Sequence, residues 1–376
     1  MRGLVLGFCL AAMATTVHAT TLEPVKTLPA AAHALPLHMV GRFVKGQADG
    51  HTVFRHQWPG VYVEAAFRGR IAFIGFDDAS NAYRLTVDND APVAVVKPGK
   101  AWFAVSATGD GPHRLRLEKV TESIDDIGAI AGVYADAKAA LPAPPARTRR
   151  IEFIGDSGMT GYGVRSDTRT CTKSEVHDRT DTQIAWPALV AKHYDADYQI
   201  DAISGRGVMR NFDSTTPGFA MGDVYPYMFF DKTVPAQPSW QPDLVILGLG
   251  GNDFSTSLKP GDPWKSEQAL TEAFFAAYGR FITDLHKRYP KAWVVVQWQG
   301  KTGDAESDQM SRIGMASLSE AAHRAGLSRF AVMAVPVDLK ADKGACDYHG
   351  SPADHRMLAE WTEGWLDQHP DVWRRK

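Results

Sequence analysis

A chain of 376 residues with 44% hydrophobic, 10% aromatic and 22% charged positions has enough apolar surface for more than one core, and its length gives a prior of two or three domains. Its 41 Lys+Arg against 43 Asp+Glu leave a net charge of −2, which supplies no basic field and argues against nucleic acid as a partner. The chain opens with Met1-Arg2, runs apolar over 4–14 and reaches Val17-His18-Ala19, a small-x-Ala pattern that predicts a secretory signal peptide over 1–19. That run is too short to cross about 30 Å of hydrocarbon, and no later stretch reaches about 18 apolar residues, so no membrane span is expected. Export would place the protein in the periplasm or outside the cell. Removal of Cys9 with the signal leaves Cys171 and Cys346 in a compartment that permits a disulfide between them.

From about 36 to 135 the chain alternates with period 2 between turn residues, the pattern of an antiparallel β-sandwich, placed here over 20–140. Val61, Val63 and Ala65 alternate with Tyr62 and Glu64; Tyr83, Leu85 and Val87 with Arg84 and Thr86; Leu115 and Leu117 with Arg114, Arg116 and Glu118. Each such strand is read as having one buried and one wet face. The prolines of Leu141-Pro142-Ala143-Pro144-Pro145 exclude a central strand or helix interior and mark a linker over 141–150.

Beyond the linker, short apolar strands alternate with long helical patterns, which predicts a three-layer α/β domain with a parallel sheet over 151–376. The strands are read at 151–154, 198–203, 244–249, 293–298 and 330–335. Between the third and fourth, Phe274, Tyr278, Ile282 and Leu285 form one stripe of a helix. A last helix is predicted from Ser351 as N-cap and Pro352 at its first position.

The first of these strands runs into Gly155-Asp156-Ser157-Gly158-Met159-Thr160-Gly161-Tyr162-Gly163, placing a serine at the carboxyl end of a strand, where open α/β sheets put their ligand crevice. Met159 breaks the Gly-x-Ser-x-Gly elbow of α/β-hydrolases. The second strand ends in Ile203-Ser204-Gly205-Arg206-Gly207 and the third in Gly250-Gly251-Asn252-Asp253, while Cys346-Asp347-Tyr348-His349 puts a late histidine before the last helix. The glycines at 248, 250 and 251 do not make a dinucleotide fingerprint, because its last position is Asp253 and the segment follows the third strand. A serine, a histidine with a nearby acid, and backbone and amide donors on separate loops are the components of acyl transfer, in which histidine takes the serine proton and the donors stabilise the oxyanion.

These four segments resemble the four blocks of the SGNH (GDSL) hydrolases. The whole chain resembles carbohydrate esterase family 2, sugar deacetylases with an N-terminal β-sandwich, since Gly111-Pro112-His113-Arg114-Leu115 through Lys119, Thr121 and Glu122 is similar to the end of that family's sandwich. The resemblance implies a serine esterase that removes acetyl groups from a carbohydrate of the xylan or mannan type through an acetyl-enzyme, without cofactor or metal. It implies Ser157 as nucleophile and first oxyanion donor, Gly205 and Asn252 as the further donors, with Gly207 a lesser choice, and His349 as base. The superfamily's Asp-x-x-His is not kept: Cys346 stands three residues before His349, and Asp347, two before, is the candidate orienting acid, with a backbone carbonyl as the alternative.

Among rivals, His355 falls inside the predicted last helix, and Asp156 reads as a brace for its loop. Tyr162, Trp264, Trp298 and Tyr348 lie on or near crevice loops, and Tyr162 and Trp298 are taken as sugar platforms. Neither His-Glu-x-x-His nor Cys-x-x-Cys occurs, so metal catalysis has little support. The competing functions are an esterase for lipids or other small acyl esters, which the polar Arg206, Arg210 and Asn211 loop disfavours, an acetyltransferase, and a non-catalytic glycan binder on the same scaffold.

Overall fold

The protein is described by a computed structural model over residues 20–374 apart from 237, 238, 301–303, 337, 338 and 340; the signal peptide read at 1–19 lies outside the described residues. Its N-terminal part consists of two antiparallel sheets. One runs β1 (Thr21–Val25), β10 (Gly99–Ser106), β7 (Ile71–Asp78), β12 (Gly128–Asp136), β5 (His51–His56) and β4 (Val44–Ala48), with β2 (Ala32–Ala34) on β12. The other runs β3 (Leu37–Val40), β6 (Tyr62–Arg68), β11 (Pro112–Lys119), β8 (Ala82–Val87) and β9 (Val93–Val96). Alternation decides the packing: Val63, Ala65, Phe67, Leu85, Val87, Leu115 and Leu117 of the second sheet meet Ala72, Ile74, Phe76, Ile130 and Val133 of the first in one core.

The opposite face of the second sheet is not wet. Tyr62, Glu64 and Glu118 are as buried as the core, because this face lies against the α/β part. Tyr62 donates its hydroxyl hydrogen to Asp197 at 2.8 Å, Arg116 bonds Glu64 at 2.8 Å, and Arg147 bonds Glu64 at 2.9 Å and Asp197 at 3.0 Å. Thus Arg147, from the segment expected to be a linker, is a rivet between the two parts. Trp58, fully buried, belongs to the α/β core although it comes from the sandwich half of the chain.

The α/β part holds five parallel strands in the order β14 (Ala196–Ala202), β13 (Arg149–Gly155), β15 (Leu244–Gly248), β16 (Trp293–Gln299) and β17 (Phe330–Val335). Its helices are α1 (Ser157–Thr160), α2 (Lys173–Arg179), α3 (Trp186–His193), α4 (Met221–Val224), α5 (Glu267–Arg288), α6 (Ala305–Arg324) and α7 (Pro352–Asp367). Successive strand residues face opposite layers: Ile151 and Phe153 pack with α3 and α7, and Ile154 packs with α5 and α6. The expected stripe of Phe274, Tyr278, Ile282 and Leu285 lies on the buried side of α5, and Ser351 caps α7 as expected. With strand order β14-β13-β15, the reversal falls between β13 and β15, and the loops after these two strands meet, Asn252 donating to Asp156 at 2.9 Å.

Candidate active site

Ser157 begins α1 directly after β13. The preceding Asp156 accepts the Gly158 amide at 3.0 Å and so caps this single turn. The chain leaves through Gly163 at φ +54°, where a Cβ would stand 2.5 Å from Cβ of Cys346; only glycine admits that approach. Cys346 is fully buried and bonded to Cys171, 175 residues earlier, with Cα atoms 5.5 Å apart. The disulfide read from the two mature cysteines is therefore present, and it anchors the turn that carries the histidine.

That turn sets the histidine's chemistry. His349 stands with Nε2 at 2.8 Å from Ser157 Oγ and Nδ1 at 3.0 Å from the Cys346 carbonyl oxygen. A carbonyl only accepts, so Nδ1 carries the hydrogen and Nε2 is left with a lone pair directed at the serine hydroxyl. Burial holds the imidazole below the usual value of 6.5, while hydrogen bonds to the Cys346 and Asp347 carbonyls pull the other way. A neutral acceptor beside a hydroxyl is what proton removal during nucleophilic attack requires.

Asp347 needs correction as the orienting acid. Its backbone sits at φ +51°, a left-handed turn position that Asp tolerates, and its carboxylate accepts the Tyr162 hydroxyl at 2.8 Å instead of facing Nδ1. Tyr162 in turn lies against the His349 ring, centroids 4.3 Å apart at 31°. Its ring thus covers the imidazole. Trp298 lies elsewhere, lining a cavity of about 850 Å³ with Leu249, Gly250, Gly251 and Phe254 beyond the end of β15 and Phe275 of α5.

Gly205 occupies the third position of a turn closed by Arg206 N–H to Ile203 O at 3.2 Å, with φ +75°. The Gly207 amide points at Asn211 Oδ1 at 3.4 Å, whereas the Gly205 amide donates to nothing among the described residues. Asn252 is placed beside them, but its two amide hydrogens go to Asp156 at 2.9 Å and the Arg206 carbonyl at 3.0 Å. A third acceptor would have to share one of these hydrogens. His355 is distant in role as well as in helix position, because its Nδ1 accepts the Trp186 amide at 3.2 Å and burial lowers it to about 4.

The pattern described as Carbohydrate esterase 2 N-terminal matches residues 39–145, and that of the GDSL-like Lipase/Acylhydrolase family matches 153–370. An acetylxylan esterase / glucomannan deacetylase of Cellvibrio japonicus is 36% identical over 341 residues, covering 90% of this chain and 92% of that protein. The chain belongs to carbohydrate esterase family 2. This family 2 esterase is a carboxylic ester hydrolase. It superposes at TM-score 0.82 and 34% identity on a solved carbohydrate esterase whose active site displays divergent catalytic and non-catalytic binding functions, covering 91% of this chain and 100% of that one. A family 2 esterase with a carbohydrate binding domain from Corynascus thermopiles (Myceliophthora fergusii) matches at TM-score 0.70 and 26% identity, over 88% of this chain and 98% of that one.

Two carboxylates of the esterase's site escape a reading of the sequence. Asp253, fully buried, accepts the amides of Val208, Met209 and Arg210 at 2.9, 3.0 and 2.9 Å and so shapes the loop beyond Gly207. Burial raises it to about 6 against those three bonds. Glu122, from the chain that leaves β11, reaches the Ser204 turn. Its only sequence signal was its place at the end of the sandwich.

Proposed function

We propose that the protein is an exported esterase that removes acetyl groups from a polysaccharide of the xylan or glucomannan type, with Ser157 as nucleophile and His349 as base. The observation that carries this reading is the pairing of His349 Nε2 with Ser157 Oγ at 2.8 Å while Nδ1 rests on a carbonyl. Ser157 Oγ attacks the acetyl carbon as its proton passes to Nε2. The oxyanion takes the amide hydrogens of Ser157 and Gly205 and a shared hydrogen of Asn252. Collapse breaks the ester bond, and the sugar oxygen leaves with the proton from His349. Water then gives a proton to Nε2 and attacks the acetyl-serine; acetate departs and the hydroxyl is restored.

Tyr162 and Trp298 offer faces for sugar rings, Tyr162 at the reacting pair and Trp298 along the neighbouring cavity. Export is supported by the disulfide and by Thr20, the residue after the proposed cleavage point, whose nitrogen and hydroxyl lie 3.1 and 2.7 Å from Asp90. Acetate release from acetylated xylan, acetylated glucomannan and an aryl acetate tests the reading, with Ser157→Ala as control. Release from the glycans that disappears in the variant is expected; cleavage of the aryl ester alone would remove the carbohydrate, and unchanged release by Ser157→Ala would remove the serine.

A further inference from the structure

We infer that Glu122 is a positioning residue through which the sandwich sets the oxyanion turn, an inference resting on the proposed roles of Ser157 and Gly205. The Glu122 carboxylate accepts both the amide and the hydroxyl of Ser204, at 2.7 and 2.6 Å. Ser204 precedes Gly205 in the turn at 203–206, so these bonds fix the peptide that presents the Gly205 amide. The Ser204 hydroxyl lies 3.1 Å from Thr160 Oγ1, and that hydroxyl is 3.3 Å from the Ser157 carbonyl. One carboxylate from the sandwich thus touches the oxyanion turn directly and the nucleophile's helix through one further side chain.

The same segment, 119–123, makes a second contact with α1. Thr182 donates its amide to the Val120 carbonyl at 2.9 Å and its hydroxyl to the Thr160 carbonyl at 2.8 Å. Gln183 donates to the Lys119 carbonyl at 3.0 Å. Lys119, completely buried, holds the segment's own course by bonding the Gln57 carbonyl at 2.7 Å and Ser123 Oγ at 3.0 Å. Burial of this density makes the clamp rigid, and the two acceptor oxygens of a carboxylate match the two donors of Ser204. The sandwich therefore positions the oxyanion turn through Glu122.

The oxyanion develops in the transition state and is absent from the bound ester, so a misplaced Gly205 amide lowers kcat and leaves KM nearly unchanged. Glu122→Ala is expected to lower kcat on an aryl acetate about 100-fold, the usual effect of losing one oxyanion donor. Glu122→Gln should recover most of that loss, since its amide oxygen accepts the Ser204 N–H and its nitrogen donates to the Ser204 hydroxyl. Ser204→Ala should lose less than Glu122→Ala, and the double variant should lose no more than Glu122→Ala, as partners in one interaction do. A folded Glu122→Ala with kcat within about threefold of wild type, or a rise in KM alone, overturns the inference. If Glu122→Ala fails to fold, Ser204→Ala decides, full kcat being the contrary result. Failure of the underlying reading is separable, since it appears as wild-type activity that survives Ser157→Ala whatever Glu122 does.

Discussion

The two halves of this site, around Ser157 and around His349, are held by different means. Ser157 follows β13, its turn is capped by Asp156, and its neighbouring loops are fixed by buried carboxylates, Glu122 on Ser204 and Asp253 on 208–210. Among the described residues, His349 does not directly follow a strand. It hangs on a short turn whose anchor is the Cys171–Cys346 bond, and its orienting acceptor is the carbonyl of that same Cys346. One half is set by the sheet and the sandwich, and the other by a covalent tether together with the Asp347 amide on the Arg169 carbonyl at 2.8 Å and the Asp354 carboxylate on the amides of Asp342 and Lys343. Damage to each half should consequently show different signatures.

The largest effect is expected where the halves meet. Ser157→Ala and His349→Ala should each lower turnover on the order of 10⁴-fold or more with melting temperature nearly unchanged, and the double variant should be little worse, because attack and proton transfer act as one unit. Additive losses in steady-state kinetics would separate the two residues. Asn252→Ala comes next, on the order of 100-fold in kcat. That loss includes freeing Asp156 and the Arg206 carbonyl from their shared donor, so Asp156→Asn, which keeps the loop cap, should lose less.

Breaking the tether tests the His349 half most directly. Cys171→Ser should lower the melting temperature, since the loop closed across 175 residues contributes up to about 5 kcal/mol in the chain-entropy account. Turnover should fall as well, by less than in Asn252→Ala, because Nδ1 loses a fixed acceptor. Unchanged kcat in a reduced but folded protein would show that the turn holds His349 without help. Acidity gives a finer probe. In the proposed mechanism the base works as neutral imidazole, and burial holds His349 below 6.5, so kcat/KM should stay high below that pH and fall only as His349 gains a proton. An acid limb centred above 6.5 would mean that the imidazolium is stabilised, as a carboxylate neighbour would do.

The same contrast explains what the sequence made legible. Ser157, Gly205 and Asn252 could be placed because each follows a short apolar strand, and a parallel sheet brings such ends to one edge. The partner of Nδ1 could not, since Asp347 and the Cys346 carbonyl are both within reach in sequence and the choice depends on a backbone angle, φ +51° at Asp347. Period-2 alternation located the sandwich strands but not what covers them: Tyr62, Glu64 and Arg116 read as solvent-facing and are instead the polar interface with the α/β part. Glu122 was visible only as the end of a strand pattern, because its function lies in a contact 82 residues away along the chain.

In the proposed mechanism a carbonyl does the work usually given to a carboxylate, and the smallest of the expected effects tests this most directly. Asp347→Asn, assayed for kcat on an aryl acetate so that sugar contacts do not enter, should keep turnover within about tenfold of wild type, because Nδ1 keeps the Cys346 carbonyl. A fall approaching 10⁴-fold with unchanged melting temperature, the scale seen when a triad acid is neutralised, would contradict the account and restore Asp347 as the orienting acid.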